Sequence, residues 1–337
     1  MSDPSRSTLV PPPGQNLTHH PEAPSIAGLR ARLGSPKRKM LFLWWVVFSV
    51  FVFWAPLRTL VDYSLRSGHE FDKYSHIPLV PFITIVLVLL ERKAIFKNVQ
   101  YGPWVGILLL LIGLMLNFSA EWAGRQIGAE NPLSARVLAL VMVWIAGFIL
   151  CYGTRAFRAG AFPLLFLFLA VPIPGALLDI PLATVQYGSA EVCSLIFTLA
   201  GVPVLREGFV FSLPAVLIEV AKECSGIHST LALFIVSFLA GHFFLPPVWK
   251  KLVLILLVLP IVCVTNGLRI AGLTLLAAYA DPSFLSGNLH RSGGIGFFLL
   301  ALLFLYIALH LLQRGCSAKR LAPRLPGRGT PEARGSP

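Results

Sequence analysis

Long apolar runs separated by short polar segments make up most of the chain. A transmembrane helix needs about 20 mostly apolar residues, and eight runs approach or reach that length. The pattern predicts an all-α fold, a polytopic transmembrane helical bundle with about eight spans. The predicted spans are Met40–Leu60, His76–Leu90, Pro103–Phe118, Ala135–Tyr152, Phe157–Val171, Ser229–Leu245, Leu252–Tyr279 and Gly293–Leu312.

Residues 172–222 interrupt this pattern between the fifth and sixth spans. Residues 176–201 are amphipathic, and charged residues recur through the whole region. A helix with one apolar and one polar face can lie in the membrane interface. We therefore expect an amphipathic or re-entrant outer segment here, followed by an extended stretch.

The two ends of the chain differ in composition from its apolar middle. Residues 1–39 are rich in proline and serine, and residues 314–337 are rich in proline, glycine and arginine. Such segments bury too little apolar surface to fold. We expect a disordered cytoplasmic tail at 1–39, a transmembrane domain at 40–313, and a basic disordered cytoplasmic tail at 314–337.

The overall composition supports a membrane protein. Hydrophobic residues make up 56% of the chain and charged residues 13%, against about a quarter charged in soluble domains. The net charge of +13 fits cytoplasmic loops and tails better than a nucleic-acid partner. The five cysteines show no metal-ligand spacing and no nucleotide motif is visible, so neither a metal nor another cofactor is predicted.

Basic clusters flank the predicted spans on alternate sides and set their orientation. Because Lys and Arg mark cytoplasmic loops, both termini are predicted to be cytoplasmic. The sixth and eighth spans then begin outside, next to Cys224 and His290. The seventh runs outward, and Arg269 lies about 26 Å beyond Leu252 in a core about 30 Å thick. The clusters are Lys37–Lys39, Arg92 with Lys93 and Lys97, Arg155 with Arg158, Lys250 with Lys251, and Arg314 onward.

Cys224 lies where a polar, flexible segment meets an apolar run, and Ser225 and Gly226 follow it. Most free cysteines are small buried hydrophobes. A thiol at a helix N-terminus, however, has its thiolate stabilised by the helix dipole. A disulfide with Cys193, on the same predicted side, is an alternative.

Arg269 lies inside an apolar run, three residues after Asn266, so the two share a helix face. An ionised residue within a span usually faces a polar cavity and serves function. Its guanidinium could stabilise an oxyanion or hold a substrate carboxylate. Snorkelling to lipid head groups is the alternative.

Two histidines could act as a general base for the thiol. His290 is predicted in a short loop at the depth of Cys224. His228 follows Cys224 by four residues, on the same face of the predicted helix. Position along the chain leaves both candidates open.

Together these motifs resemble the exosortase/archaeosortase family. Cys224–Gly226 resembles the family's nucleophile motif, Asn266–Ile270 its N-x-x-R motif, and His290 the histidine of the bacterial exosortases. Ile77 stands where the family's Ser-His-Gly has glycine, and His228 stands where an Arg or Asn is common.

The resemblance implies a cysteine peptidase or transpeptidase in the cytoplasmic (inner) membrane of a bacterium. It would act at the outer face on exported proteins that end in a PEP-CTERM-like motif, a transmembrane helix and a basic cluster. Its acceptor is unknown, and the family is linked to exopolysaccharide genes. The alternatives are a transporter or a membrane component of exopolysaccharide assembly without peptidase activity, and a membrane scaffold. These would tolerate loss of Cys224.

Overall fold

The computed structural model of the chain describes residues 36–65, 74–97, 99, 102–127, 130–214, 216–220, 227–280 and 288–320. Helices dominate this part of the chain. They are α1 (Pro36–Val52), α2 (Trp54–Leu65), α3 (Leu79–Ile95), α4 (Pro103–Ile127), α5 (Glu130–Ala159), α6 (Ala161–Phe166, continued by a 3-10 turn at Leu167–Ala170), α7 (Gly175–Leu199), α8 (Ile227–Phe244), α9 (Val248–Leu256), α10 (Val258–Tyr279) and α11 (Asn288–Arg320).

The first predicted span is bent. Its two halves, α1 and α2, meet at an angle of 76°. Pro56 explains the break, because a proline has no amide hydrogen to donate to the carbonyl four residues earlier and its ring clashes with that carbonyl. The backbone bonds on either side are kept, with Phe53 N donating to Ser49 O at 2.9 Å and Leu57 N to Phe53 O at 3.1 Å.

Four helical stretches in the described part of the chain are long and apolar enough to cross a membrane. Counting the bent α1–α2 pair as one span gives a fifth. The chain is therefore a multi-pass membrane protein, whereas the predicted total of about eight spans stays a prediction. The four stretches are Pro103–Ala120, Pro132–Ala159, Val248–Tyr279 and Gly294–Arg314.

The fifth predicted span, Phe157–Val171, is not one continuous helix. Its helical part beyond Gly160 is the 10-residue apolar segment Ala161–Ala170, about 15 Å long. That length covers about half of a 30 Å hydrocarbon core. This segment alone cannot cross the membrane.

In the predicted outer segment, α7 is a 25-residue helix that packs along α10, and its position relative to the membrane stays a prediction. Thr184 and Gly188 meet Cys263, while Val192 meets Gly267 further along both helices. Because the contacting residues move forward in sequence together in both helices, α7 and α10 run parallel.

A small antiparallel sheet follows α7, so the fold is mostly helical but not all-α. The strands are β1 (Leu205–Glu207), β2 (Val210–Ser212) and β3 (Leu217–Glu219), in the order β1-β2-β3. Because side chains alternate across a strand, Phe211 points inward. It packs with Phe197 of α7 and Ala271 of α10. The sheet thereby covers the ends of both helices.

Gly201 makes the sharp exit from α7 toward the sheet. Its φ of 67° lies in the left-handed region that favours glycine. Gly201 N donates to Thr198 O at 3.1 Å and Val202 N to Phe197 O at 3.0 Å, the pair of bonds of a Schellman motif. Val202 and Phe197 share one apolar cluster, which completes the cap.

At the end of the bundle opposite the sheet, contacts join the helices that carry basic clusters. Glu91 of α3 and His242 of α8 pair at 2.7 Å. Lys250 of α9 donates to the carbonyl of Leu312 in α11. The clusters after α3, after α8 and at the end of α11 thus share one end of the bundle, as expected for clusters on one side of a membrane.

Candidate functional site

Asn266 ties α10 to α7. Its side chain is buried, and its Nδ2 donates to the Ser189 hydroxyl at 3.0 Å. Ser189 is also fully buried, so each polar group satisfies the other where water is excluded. This bond fixes the rotation of α10 and therefore the direction in which Arg269, one turn later, projects.

Gly267 lets the two helices approach to backbone contact. A Cβ at this position would lie 2.6 Å from Val192 Cβ and 3.0 Å from the Ser189 carbonyl oxygen. The Cys193 thiol donates to the Gly267 carbonyl at 3.3 Å. Cys193 is a buried free thiol, and Cys224, its partner in the alternative disulfide, lies outside the described residues.

Arg269 and Asn266 line one small cavity of about 30 Å³ where α8, α10 and α11 converge. The predicted common face of these two residues is therefore confirmed. Ser229 contributes from the first turn of α8, and Gly294 from α11. A space of this size holds one or two water molecules or a small polar group.

The sequence-predicted thiol and histidines adjoin this cavity along the chain. Cys224, Ser225 and Gly226 lie outside the described residues. His228 directly precedes Ser229 in α8, and His290 precedes Gly294 by one turn in α11. The backbones of both histidines are described and their side chains are not.

His290 is in a helix and not in a loop, which corrects the sequence prediction. α11 begins at Asn288, five residues before the predicted start at Gly293. His290 therefore lies in the first helical turn.

The strand that leads toward Cys224 is anchored to α7. Gln186 is buried, and its Nε2 donates to the Val220 carbonyl at 2.7 Å. On the far side of the sheet, Arg206 of β1 pairs with Glu191 of α7 at 2.8 Å. The hydrogen bond that Arg206 donates to Glu191 raises the pKa of Arg206. Both contacts fix the sheet to the helix that also holds α10.

Sequence reasoning missed Ser189 and Ser229 and gave Gln186 no structural role. A usable signal was the run of small residues at 188–190 together with Gly267, because small residues favour close helix contacts in membranes. In the part of the chain that the structure describes, no group of three His, Cys, Asp or Glu side chains could hold a metal ion.

The fold and the cavity define a polytopic helical membrane protein with an arginine-lined site near one end. A family model described as transmembrane exosortase matches residues 69–307. The chain belongs to this family of membrane exosortases. Comparisons with curated proteins and with solved structures gave no match.

Proposed function

We propose that the chain is a cysteine peptidase or transpeptidase that cleaves the C-terminal sorting signal of exported proteins. Cys224 acts as nucleophile, Arg269 as oxyanion stabiliser or anchor of a substrate carboxylate, and His290 as general base and acid. The observation that carries this proposal is the shared cavity of Ser229, Arg269 and Gly294. Arg269 and Gly294 lie on the helices that carry the N-x-x-R motif and His290, and Ser229 lies on the helix that directly follows the Cys224–Gly226 motif.

Chain length supports the placement of the nucleophile near this cavity. Cys224 is four residues after Val220, which Gln186 anchors, and three before Ile227, where α8 begins. Because the chain spans no more than about 3.6 Å per residue, Cys224 lies within about 14 Å of Val220 Cα and within about 11 Å of Ile227 Cα. The N-terminus of α8 can stabilise a thiolate through its free amides and its dipole.

The reaction follows from these groups. His290 takes the thiol proton, and the Cys224 sulfur adds to the scissile carbonyl carbon. Arg269 stabilises the negative oxygen of the tetrahedral intermediate. The C–N bond then breaks, His290 protonates the leaving amine, and a thioester remains. Water, or an amine or hydroxyl acceptor, attacks the thioester and frees the thiol.

His228 is the rival base, because it lies in the first turn of α8 next to Ser229. General-base catalysis contributes about 10²–10⁴-fold. His290→Ala and His228→Ala should therefore differ by that factor, with the larger loss at the acting base.

The substrates proposed are exported proteins with a short motif, a transmembrane helix and a basic cluster. The site would face outward from a bacterial cytoplasmic membrane, with both termini inside. A transporter or polysaccharide-assembly role without peptidase activity is the alternative, and it predicts no covalent intermediate.

The test is cleavage of a co-expressed protein that carries such a tail. Cys224→Ala should abolish cleavage while membrane insertion is unchanged, and Cys316→Ala is the matched control in the C-terminal segment. With hydroxylamine as the acceptor, a hydroxamate of the cleaved product should form only when Cys224 is present, because hydroxylamine attacks the thioester and frees the thiol. Normal processing by Cys224→Ala would refute the proposal.

A further inference from the structure

A large groove opens between α1, α3, α5 and α6, at the basic end of the bundle and away from the Arg269 cavity. Its volume is about 1150 Å³, above the roughly 300–1,000 Å³ of common small-molecule sites. Its described walls are apolar except for Thr84 and the basic end. The groove is too large for a water-filled packing defect and has the size of an amphiphile.

Four cations gather at one end of this groove: Lys39, Arg92, Lys93 and Lys97. All four side chains are exposed, and no acidic residue occurs among the groove's described lining residues. The nearby Glu91 is paired with His242. The charge at this end is therefore available for an anion.

The α3 wall of the groove is a continuous stripe at helical spacing, from Pro81 through Val88 to Arg92. From Pro81 to Arg92 the helix rises about 16 Å. Half of a 30 Å hydrocarbon core is about 15 Å. The distance from Pro81 to the first α3 cation thus matches one leaflet, with the cations at the level of its head groups.

The groove is preformed near its basic end. Phe96 and Tyr152 meet edge to face with ring centroids 4.9 Å apart, and Phe42 meets Phe148 in the same way at 5.8 Å. These four rings line the groove and hold α1, α3 and α5 together. A preformed wall lowers the entropic cost of binding a flexible chain.

We propose that this groove binds an anionic phospholipid, with its phosphate on Lys39, Arg92, Lys93 and Lys97 and an acyl chain along α3. Basic pockets between transmembrane helices bind anionic head groups of the cytoplasmic leaflet, and the charge pattern assigns this end to the cytoplasm. The apolar helix of a tail-anchored substrate fits less well, because its basic cluster would face four like charges.

The test is native mass spectrometry of the full chain released from nanodiscs of equal phosphatidylglycerol and phosphatidylcholine. The wild type should retain phosphatidylglycerol in preference to phosphatidylcholine. Each near-surface cation corresponds to about five-fold in affinity, so Arg92→Gln with Lys93→Gln should weaken retention about 30-fold. These exposed side chains can be neutralised without disturbing the core.

The matched control is Arg155→Gln with Arg158→Gln. These exposed residues at the end of α5 lie outside the groove, so the same loss of charge should leave retention unchanged. Equal retention of both lipids, equal losses in the two double variants, or a second copy of the chain in place of lipid would overturn the proposal. So would competition by glycerol phosphate at lipid concentrations, because the ligand would then be a free phosphate. None of these outcomes bears on cleavage by Cys224.

Discussion

Gly267→Ala should damage the site without touching any proposed catalytic group. The new Cβ would lie 2.6 Å from Val192 Cβ, whereas ordinary carbon contacts begin near 3.5 Å. The two helices must therefore separate by about 1 Å. Overpacking of this kind costs about 1–3 kcal/mol, and a 1 Å displacement of catalytic groups can cost about 10²-fold in rate.

The assay compares cleavage of the tail-bearing substrate and thermal unfolding in detergent. The matched control is Gly272→Ala, five residues further along α10, where a Cβ would meet nothing within 4 Å. Gly272→Ala should keep full activity and gain up to about 1 kcal/mol from helix propensity. Gly267→Ala should lose both stability and activity.

A rescue series sharpens the test. In the Gly267→Ala background, Val192→Ala removes both γ carbons, including the Cγ1 that would lie 2.6 Å from the new Cβ, but leaves Val192 Cβ, which would also lie 2.6 Å away. Val192→Gly removes the Cβ as well and should restore more activity than Val192→Ala. If Gly267→Ala cleaves as fast as Gly272→Ala, close contact of α7 with α10 does not position Arg269 and the reasoning fails.

Other substitutions probe the remaining contacts. Arg269→Lys keeps the charge but not the planar fork, and should lower kcat by about 10²–10³-fold, with insertion followed by membrane fractionation. Asn266→Ala leaves the buried Ser189 hydroxyl without its donor and should cost about 1–3 kcal/mol, measured as a lower Tm; Asn266→Gln retaining full stability and activity would contradict a positional role. Gln186→Leu releases the Val220 carbonyl and should reduce cleavage by more than the loss of folded protein followed by Tm accounts for, because the freed strand leads to the proposed nucleophile Cys224; cleavage that falls only in proportion to the folded fraction would indicate a purely structural bond.

Much of the helical architecture could be predicted from apolar run length, because crossing a hydrocarbon core sets a minimum length. The shared helix face of Arg269 and Asn266 could be predicted, because their spacing in sequence fixes the angle between them around the helix axis. The break at Gly160 was missed, because hydropathy averages over a window and does not register a single glycine between two helical pieces.

The features that the sequence did not predict depend on contacts with residues elsewhere in the chain. α7 carries enough polar residues to resemble a surface helix, and only its contact with α10 shows that Ser189 and Gln186 face protein. The strands are three residues long, too short to show alternation. For His290, a glycine-rich sequence suggested a loop where a helix forms.

The parallel course of α7 and α10 has a consequence for the order in which the protein matures. Two parallel helices require a return crossing, which α8 provides, so the Cys224 segment lies on the crossover itself. The proposed nucleophile Cys224 and Arg269 are 45 residues apart in sequence, and a contact across such a separation forms late because the intervening loop must first close. During synthesis Cys224 emerges before Arg269. Cleavage competence would thus arise only after α10 has docked, and a chain still being inserted would carry an unassisted thiol.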